Sequence, residues 1–445
     1  MKEENVMTPE EIYEDSKKYT VFTWVAQENF KPLCIKKADG IYMWDYDGKR
    51  YTDICSQLVN VNIGFNNKAI IKAIQDQAAE LAYIAPKHTY DKRAELGKIL
   101  IEEIAPKNMA KVLFTLGGAD ANEYAIRLAK AFTGRDKIFS KYESYHGSTY
   151  GSANLTGEAE RSSPFPTIPG FIKFQPPHLY TYDLKFDSEE EATKHFLARL
   201  EYQMKMEGPE SIAALFIESV TGSNGVYLYP KGYLKGVREL CTKYGILMVC
   251  DEVMAGFLRC GEWFACQAEA IEPDIITFAK GVNSGYAPLG GVLISKEISQ
   301  FFDTHSLPSG LTYNSHSLGV AAAIACIKEY QRLGTKEYVQ KMAPVFGEYM
   351  EDLKKKHPSI GDVRYVGIYG AIEFSKPGTN EQITKTKDGK PFLGSLVQEL
   401  YKYGLATFGH NSSIMVAPAL TITESEMKEM FATLDEALTW ADEQV

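Results

Sequence analysis

Between Met248 and Gly290 two apolar, strand-like runs each end in a charged group: Asp251-Glu252 follows one and Lys280 the other. A lone lysine or aspartate at a strand end is ordinarily a surface charge. Two such strands in one sheet bring an amine and a carboxylate to the same edge, and that pair has chemistry open to it. The amine serves as nucleophile and base, and the carboxylate as a fixed negative charge beside whatever becomes positive. A second candidate is Phe114–Glu123 (FTLGGADANE), where a strand runs through a Gly-Gly turn into a helix. The first-turn amides of such a helix point outward and form a cradle for a phosphate. Alone, a Gly-Gly turn is usually only a turn.

The elements that must position these groups follow from periodicity. Apolar and β-branched segments alternate with helical patterns at Lys111–Thr115, Lys137–Ser140, Ile212–Glu218, Gly245–Cys250, Asp274–Phe278 and Gly291–Ser295. This alternation predicts an α/β fold, a mostly parallel sheet between helices, with its ligand edge just beyond the strand ends. Before it, Gly40–Asp53 carries two aromatic runs around Asp47-Gly48, a hairpin signal. After it, Leu318–Arg332 is an Ala-rich helical stretch leading into an α+β region. The expected partition is a large domain over 66–317 and a smaller α+β domain built from both chain ends, 1–65 and 318–445.

Composition narrows the function classes. At 445 residues the chain is long enough for two packed units. Its 48 Lys plus Arg against 58 Asp plus Glu give a net charge of −10, which disfavours nucleic acid or an anionic membrane as partner. The start Met1-Lys2-Glu3-Glu4 lacks the basic-then-apolar order of a signal peptide, and no apolar run nears the roughly 20 residues that span a bilayer. A cytoplasmic protein is expected. Seven scattered cysteines without a CxxC pair indicate neither a disulfide framework nor a zinc site, and no metal is expected.

Asp251-Glu-Val, Gly256-Phe-x-Arg-x-Gly, Pro273-Asp, Ala279-Lys-Gly and Pro288-Leu-Gly-Gly together resemble the signature of class III aminotransferases of fold type I, and the similarity extends over nearly the whole chain. The resemblance implies pyridoxal 5′-phosphate carried as a Schiff base on Lys280, with Asp251 paired to the pyridine nitrogen and Glu218 held near both. It implies phosphate binding by the Gly118 and Ala119 amides, since Gly117-Gly-Ala-Asp-Ala-Asn matches the family turn. Many relatives carry a hydroxyl where this chain has Gly117 and Ala119, so another donor is needed. Thr312, in Gly310-Leu-Thr-Tyr-Asn-Ser-His, resembles the threonine that reaches the phosphate of the neighbouring subunit. That implies a homodimer or dimer of dimers with active sites at the interface. Tyr145-His146-Gly147 resembles the family's aromatic-His-Gly, whose ring stacks on the pyridine face for roughly 1 kcal/mol, with Val253 on the other face.

Departures from the family pattern bear on substrate. Relatives acting on 4-aminobutyrate or ornithine carry an arginine where this chain has Ser148, a gating glutamate at Ser223 and a further arginine at Met415. The patterns Trp24-Val-Ala-Gln, Ser56-Gln-Leu-Val-Asn and Lys280-Gly-Val-Asn-Ser-Gly-Tyr resemble instead the ω-amino acid branch, which deaminates taurine or β-alanine with a 2-oxo acid acceptor, 2-oxoglutarate or pyruvate, by a ping-pong mechanism. Phe22, Trp24, Leu58 and Val59 are expected to line the pocket, although Trp24 reads equally well as a core aromatic. Arg161, in Gly157-Glu-Ala-Glu-Arg, is the candidate anion-binding arginine, its alternative a solvated loop residue. Competing readings are an aminomutase of the glutamate-1-semialdehyde type, an aminotransferase for 4-aminobutyrate or a diamine, and a non-catalytic regulator that kept the fold.

Overall fold

The computed structural model describes residues 7–28, 30–162, 166–180, 182 and 184–445. Seven strands form the central sheet, in the spatial order Met109–Thr115, Gly290–Ser295, Ile275–Phe278, Leu247–Asp251, Ile212–Glu218, Lys137–Lys141, Phe171–Phe174. The last five run parallel, and Gly290–Ser295 is antiparallel to both its neighbours. Every residue of Ile212–Glu218, Leu247–Asp251 and Ile275–Phe278 is buried. Strands covered on both faces read as unbroken apolar runs rather than alternating ones, which is why these were visible in the sequence. The edge strand Phe171–Phe174 was not, because it is four residues long and mostly half-buried.

Register then fixes the ligand edge. Glu218 pairs with Asp251, and Asp251 with Thr277. Three neighbouring strands therefore end level, and Lys280 follows two residues past Phe278. The helix Gly118–Thr133 lies against the same sheet, burying Ala121, Asn122, Ala125 and Leu128 and closing on Gly134 in the left-handed region at φ +66°.

The chain ends meet in a second sheet. Tyr42–Asp45 and Arg50–Asp53 form the hairpin expected around Asp47-Gly48, with Gly48 at φ +84°. Leu405–Ala406 then adds in parallel to Arg50–Asp53. A third, antiparallel sheet holds Ile360–Val366, Tyr369–Phe374, Ser413–Val416 and Gly409–His410. Among the described residues no helix is long and apolar enough to cross a membrane.

One buried side chain joins all of this. Arg259 is fully buried, and its Nη1 donates to the carbonyls of Ile368 (3.1 Å), Ala417 (3.3 Å) and Pro418 (2.6 Å). Its Nη2 donates to Ser56 Oγ (3.2 Å) and Asn62 Oδ1 (2.8 Å). All five acceptors are neutral, and burial pushes the guanidinium down to about 10. Beside it, Ser56, Gln57 and Val59 hold φ values of +50°, +59° and +56°, three positive-φ residues within four positions. Such conformations persist only where surroundings impose them. Here Asp53 accepts from the amides of Cys55 (3.2 Å) and Gln57 (2.9 Å) while Arg259 holds Ser56 and Asn62. Replacing Arg259 by methionine leaves the Ile368 and Pro418 carbonyls and Asn62 Oδ1 without its donors, while the Ala417 carbonyl keeps Ser56 Oγ (2.7 Å), so we expect a loss of about 3 kcal/mol or more. Thermal unfolding of Arg259→Met should show a midpoint lowered by several degrees, and an unchanged midpoint would deny the guanidinium this role.

Candidate active site

Asp251 is buried at the end of its strand and meets three donors from different parts of the chain. Asn122 Nδ2 donates to Oδ2 at 2.8 Å, His146 Nδ1 lies 2.7 Å from the same oxygen, and the Val253 amide donates to Oδ1 at 3.0 Å. Asn122 is itself fixed, donating to the His146 carbonyl (2.7 Å) and accepting from Thr277 Oγ1 (2.9 Å). The carboxylate cannot swing without breaking bonds to helix, loop and the turn that follows its own strand. His146 thus stands behind Asp251, orienting it.

Lys280 sits in the left-handed region at φ +47°, opening a single turn Lys280–Val282. Burial lowers its amine to about 8; the charges of Asp251 and Glu218 oppose that shift and Arg161 adds to it. Amine, two carboxylates and guanidinium therefore share one electrostatic field. Glu218, also buried, accepts from the amides of Tyr145 (3.3 Å) and Gly222 (2.7 Å). Lys141 Nζ lies 3.9 Å behind it. Burial raises the Glu218 carboxyl, and burial lowers the Lys141 amine to about 8.

The helix start beside these groups is open. Gly117 is extended and offers no side-chain cap to the first-turn amides of Gly118 and Ala119. A Cβ on Gly118 would fall 2.7 Å from Val253 Cγ1, and one on Gly147, at φ +134°, would fall 2.6 Å from Ala119 Cβ. Glycine is thus required where the aromatic-His-Gly loop and the post-Asp251 turn crowd the helix start. An uncapped helix N-terminus with free amides suits a phosphate. A buried carboxylate and a desolvated lysine at the same edge suit a protonated ring nitrogen and a carbonyl carbon. The residues present thus fit pyridoxal phosphate.

Tyr145 Oη lies 3.0 Å from Ser148 Oγ, and its ring meets Trp24 edge-on at 5.5 Å. Trp24 is 62% exposed, so it is not a core aromatic. Arg161 belongs to the short helix Ala159–Ser162 and its side chain is only 16% exposed, which corrects the solvated alternative. Its Cζ lies 4.8 Å from the Trp24 ring centre and 4.9 Å from that of Tyr145. Nε is 3.0 Å from Glu158 Oε2, Nη1 donates to Ser223 Oγ at 2.9 Å, and Nη2 is 3.3 Å from His410 Nδ1.

Leu58, Val59, Phe22 and Thr312, also expected at the site, have the following surroundings in the single chain. Leu58 is 60% exposed, whereas Val59 is buried in a cluster with Met415 and Tyr369, so the two do not share a surface. Phe22 packs edge-on to Phe30 at 5.0 Å. Thr312 is exposed, its carbonyl accepting from Tyr83 Oη at 2.9 Å. Asn122, Glu158 and His410 were not singled out from sequence. Asn122 had a signal, lying one helical turn after Gly118 on the face toward the sheet, and so had Glu158, three residues before Arg161; His410 is brought in by tertiary structure alone.

Fold and site together define a pyridoxal-phosphate-dependent enzyme of fold type I. Residues 24–438 match the family model of class-III aminotransferases, and the chain belongs to that family. It is similar to the structure of taurine:2-oxoglutarate aminotransferase from Bifidobacterium kashiwanohense in complex with PLP and glutamate, at 41% identity and TM-score 0.94, covering 98% of this chain and 99% of that one. It is 31% identical to taurine–pyruvate aminotransferase of Bilophila wadsworthia over 444 residues, covering 96% of each. It is also 31% identical over 430 residues to a probable gamma-aminobutyrate transaminase 4 of Oryza sativa subsp. japonica, covering 93% of this chain and 88% of the relative.

The depressed Lys280 amine gives a pH prediction. Only the neutral amine attacks a carbonyl, so cofactor capture by the cofactor-free protein should accelerate as pH rises through the amine's own ionisation and level off above it. Stopped-flow absorbance is expected to place the midpoint near 8. A rate still climbing steeply toward the ordinary lysine value of about 10.4 would contradict the desolvated site.

Proposed function

We propose that this aminotransferase moves the amino group of a short ω-amino acid, taurine first and β-alanine second, to 2-oxoglutarate or pyruvate. The observation that carries the reading is Arg161, wedged against Tyr145 and Trp24 and acting on the Lys280 amine. It supplies a cation at the site although Ser148 and Met415 stand where carboxylate-gripping relatives have arginines. A sulfonate presents three tetrahedral oxygens and can be met by separate donors; one guanidinium with neighbouring hydroxyls such as Ser223 and Ser148 suffices. The similarity to the two taurine aminotransferases supports this assignment. A 4-aminobutyrate donor is the second reading, favoured by the equally similar plant relative.

When bound, pyridoxal phosphate supplies an electron-accepting ring that eases proton loss from the donor's amine-bearing carbon. In this reading Lys280 would hold the cofactor, and its amine, when free of it, would take that proton. Asp251 fixes a negative charge at the pyridine nitrogen, with Asn122 and His146 setting its direction. The Gly118 and Ala119 amides would hold the phosphate and Tyr145 and Val253 the ring, with Glu218 completing the anionic wall. Thr312 of a second copy supplies the hydroxyl that the Gly117 and Ala119 positions lack, so the active unit is a homodimer or larger.

Asp251→Asn should keep the cofactor yet lose at least about a hundredfold in turnover, since a neutral amide no longer favours a protonated ring nitrogen; near-normal turnover would remove Asp251 from this role. For the donor, the yellow enzyme is mixed separately with taurine, β-alanine, 4-aminobutyrate and ornithine. Taurine and β-alanine should convert the lysine-bound cofactor absorption to that of the aminated cofactor. Conversion by 4-aminobutyrate or ornithine while taurine fails would overturn the donor assignment.

A further inference from the structure

We infer that Glu158 and His410 are positioning residues for the substrate anion, holding Arg161 so that its remaining N–H groups face donor and acceptor; this rests on the anion-binding reading of Arg161. The Glu158 carboxylate is buried and its two oxygens do different things. Oε2 is 3.0 Å from Arg161 Nε. Oε1 accepts a close hydrogen bond from Asn224 Nδ2 and lies 3.0 Å from His410 Nε2. His410 Nδ1 in turn lies 3.3 Å from Arg161 Nη2.

Donor and acceptor chemistry fixes the sense of this ring of contacts. A guanidinium only donates, so the His410 nitrogen facing it must be the bare acceptor, and Nε2 then carries the hydrogen toward Glu158. One tautomer of neutral His410 satisfies both ends. The ring ties the helix Ala159–Ser162 to the strand Gly409–His410, two segments some 250 residues apart in sequence. Asn224 and Ser223 add the loop beyond Glu218.

The way Glu158 engages Arg161 matters for recognition. A carboxylate forked across two nitrogens occupies the edge that a substrate anion needs. Glu158 instead meets Arg161 at Nε alone and spends its other oxygen on Asn224 and His410. Of the four N–H groups on the two Nη nitrogens, Ser223 and His410 accept one each, which leaves two for a ligand, while Glu158 Oε2 sits 3.0 Å from Nε as an ion pair. The aromatic rings of Trp24 and Tyr145 limit where the plane can turn.

The test uses holoenzyme and ethanesulfonate, the taurine skeleton without its amine, with binding read by calorimetry. Glu158→Gln and His410→Ala should each weaken binding about tenfold, the scale of one charge-assisted hydrogen bond. His410→Gln, whose amide offers one donor and one acceptor, should recover most of the loss, a rescue that a merely structural role would not show. The ratio of kcat/KM for β-alanine to that for propylamine should fall in parallel, through KM rather than kcat. Two variants at different sites keep the test open if one fails to fold. Unchanged or tighter ethanesulfonate binding in both, with Arg161→Met still weakening it, would overturn the positioning role alone. Binding unaffected by Arg161→Met would overturn the reading of Arg161 and this inference with it.

Discussion

The carboxylate of Asp251 must point in one direction, and much of the surrounding structure serves that requirement. Asn122, His146 and the Val253 amide each supply a donor to it. Through these bonds the helix Gly118–Thr133, the loop after Lys137–Lys141 and the turn after Leu247–Asp251 are locked to one another. The consequences spread outward. Tyr145 precedes His146 and so stands where His146 is held, while Gly118 and Gly147 are confined to glycine because the clamped pieces approach within van der Waals contact. The cofactor's charge partner, phosphate cradle and stacking ring are thus set by a single hydrogen-bonded junction.

Gathering charge in a dry place has a cost, and the structure meets it by pairing. An isolated buried ion is heavily penalised, whereas a paired and hydrogen-bonded one is tolerated. Glu218 faces Lys141, Glu158 faces Arg161, and Asp251 faces His146. Arg259 and Glu252 are held by neutral groups instead, Arg259 by five oxygens at the junction of the chain ends and Glu252 by Ser219 Oγ and the Ala265 and Cys266 amides. Lys280 has electrostatic neighbours but lacks an ion pair of its own among the described residues, and this suits an amine that must shed its proton to react.

What could be read in the sequence divides along physical lines. The strands ending in Glu218, Asp251 and at Phe278 were legible because burial on both faces leaves unbroken apolar runs, and level strand ends then place Lys280 beside the acids. The helix start at Gly118 was legible because a Gly-Gly turn after a strand has few other uses when a carboxylate and lysine follow. The pocket wall was less legible. Leu58 and Val59 are adjacent, yet positive-φ backbone at Ser56, Gln57 and Val59 sends one outward and the other into the core, and no sequence periodicity encodes that. Glu158 lies one helical turn before Arg161 and was readable as its partner, whereas His410 reaches Arg161 only through the third sheet, a long-range event without local signal. Thr312, exposed in the single chain, needs a second copy before any role there can be judged.

Among the described residues three lysines, one buried and two half-buried, carry amines lowered by burial: Lys141 to about 8, Lys173 to about 7 and Lys280 to about 8. Lys173 donates to Ser140 Oγ at 2.7 Å and to the Asn154 and Leu155 carbonyls, which uses all three of its hydrogens. Lys141 is committed to the Glu143 carbonyl at 2.6 Å and to Glu218. Lys280 alone of the three stands at the open edge between Asp251 and the helix start. The direct measurement is borohydride reduction of the holoenzyme, which makes the lysine–cofactor bond permanent, followed by peptide mass mapping. The pyridoxyl mass is expected on the Lys280 peptide alone; the same mass on Lys141 or Lys173, with Lys280 unmodified, would place the cofactor elsewhere and refute the assignment.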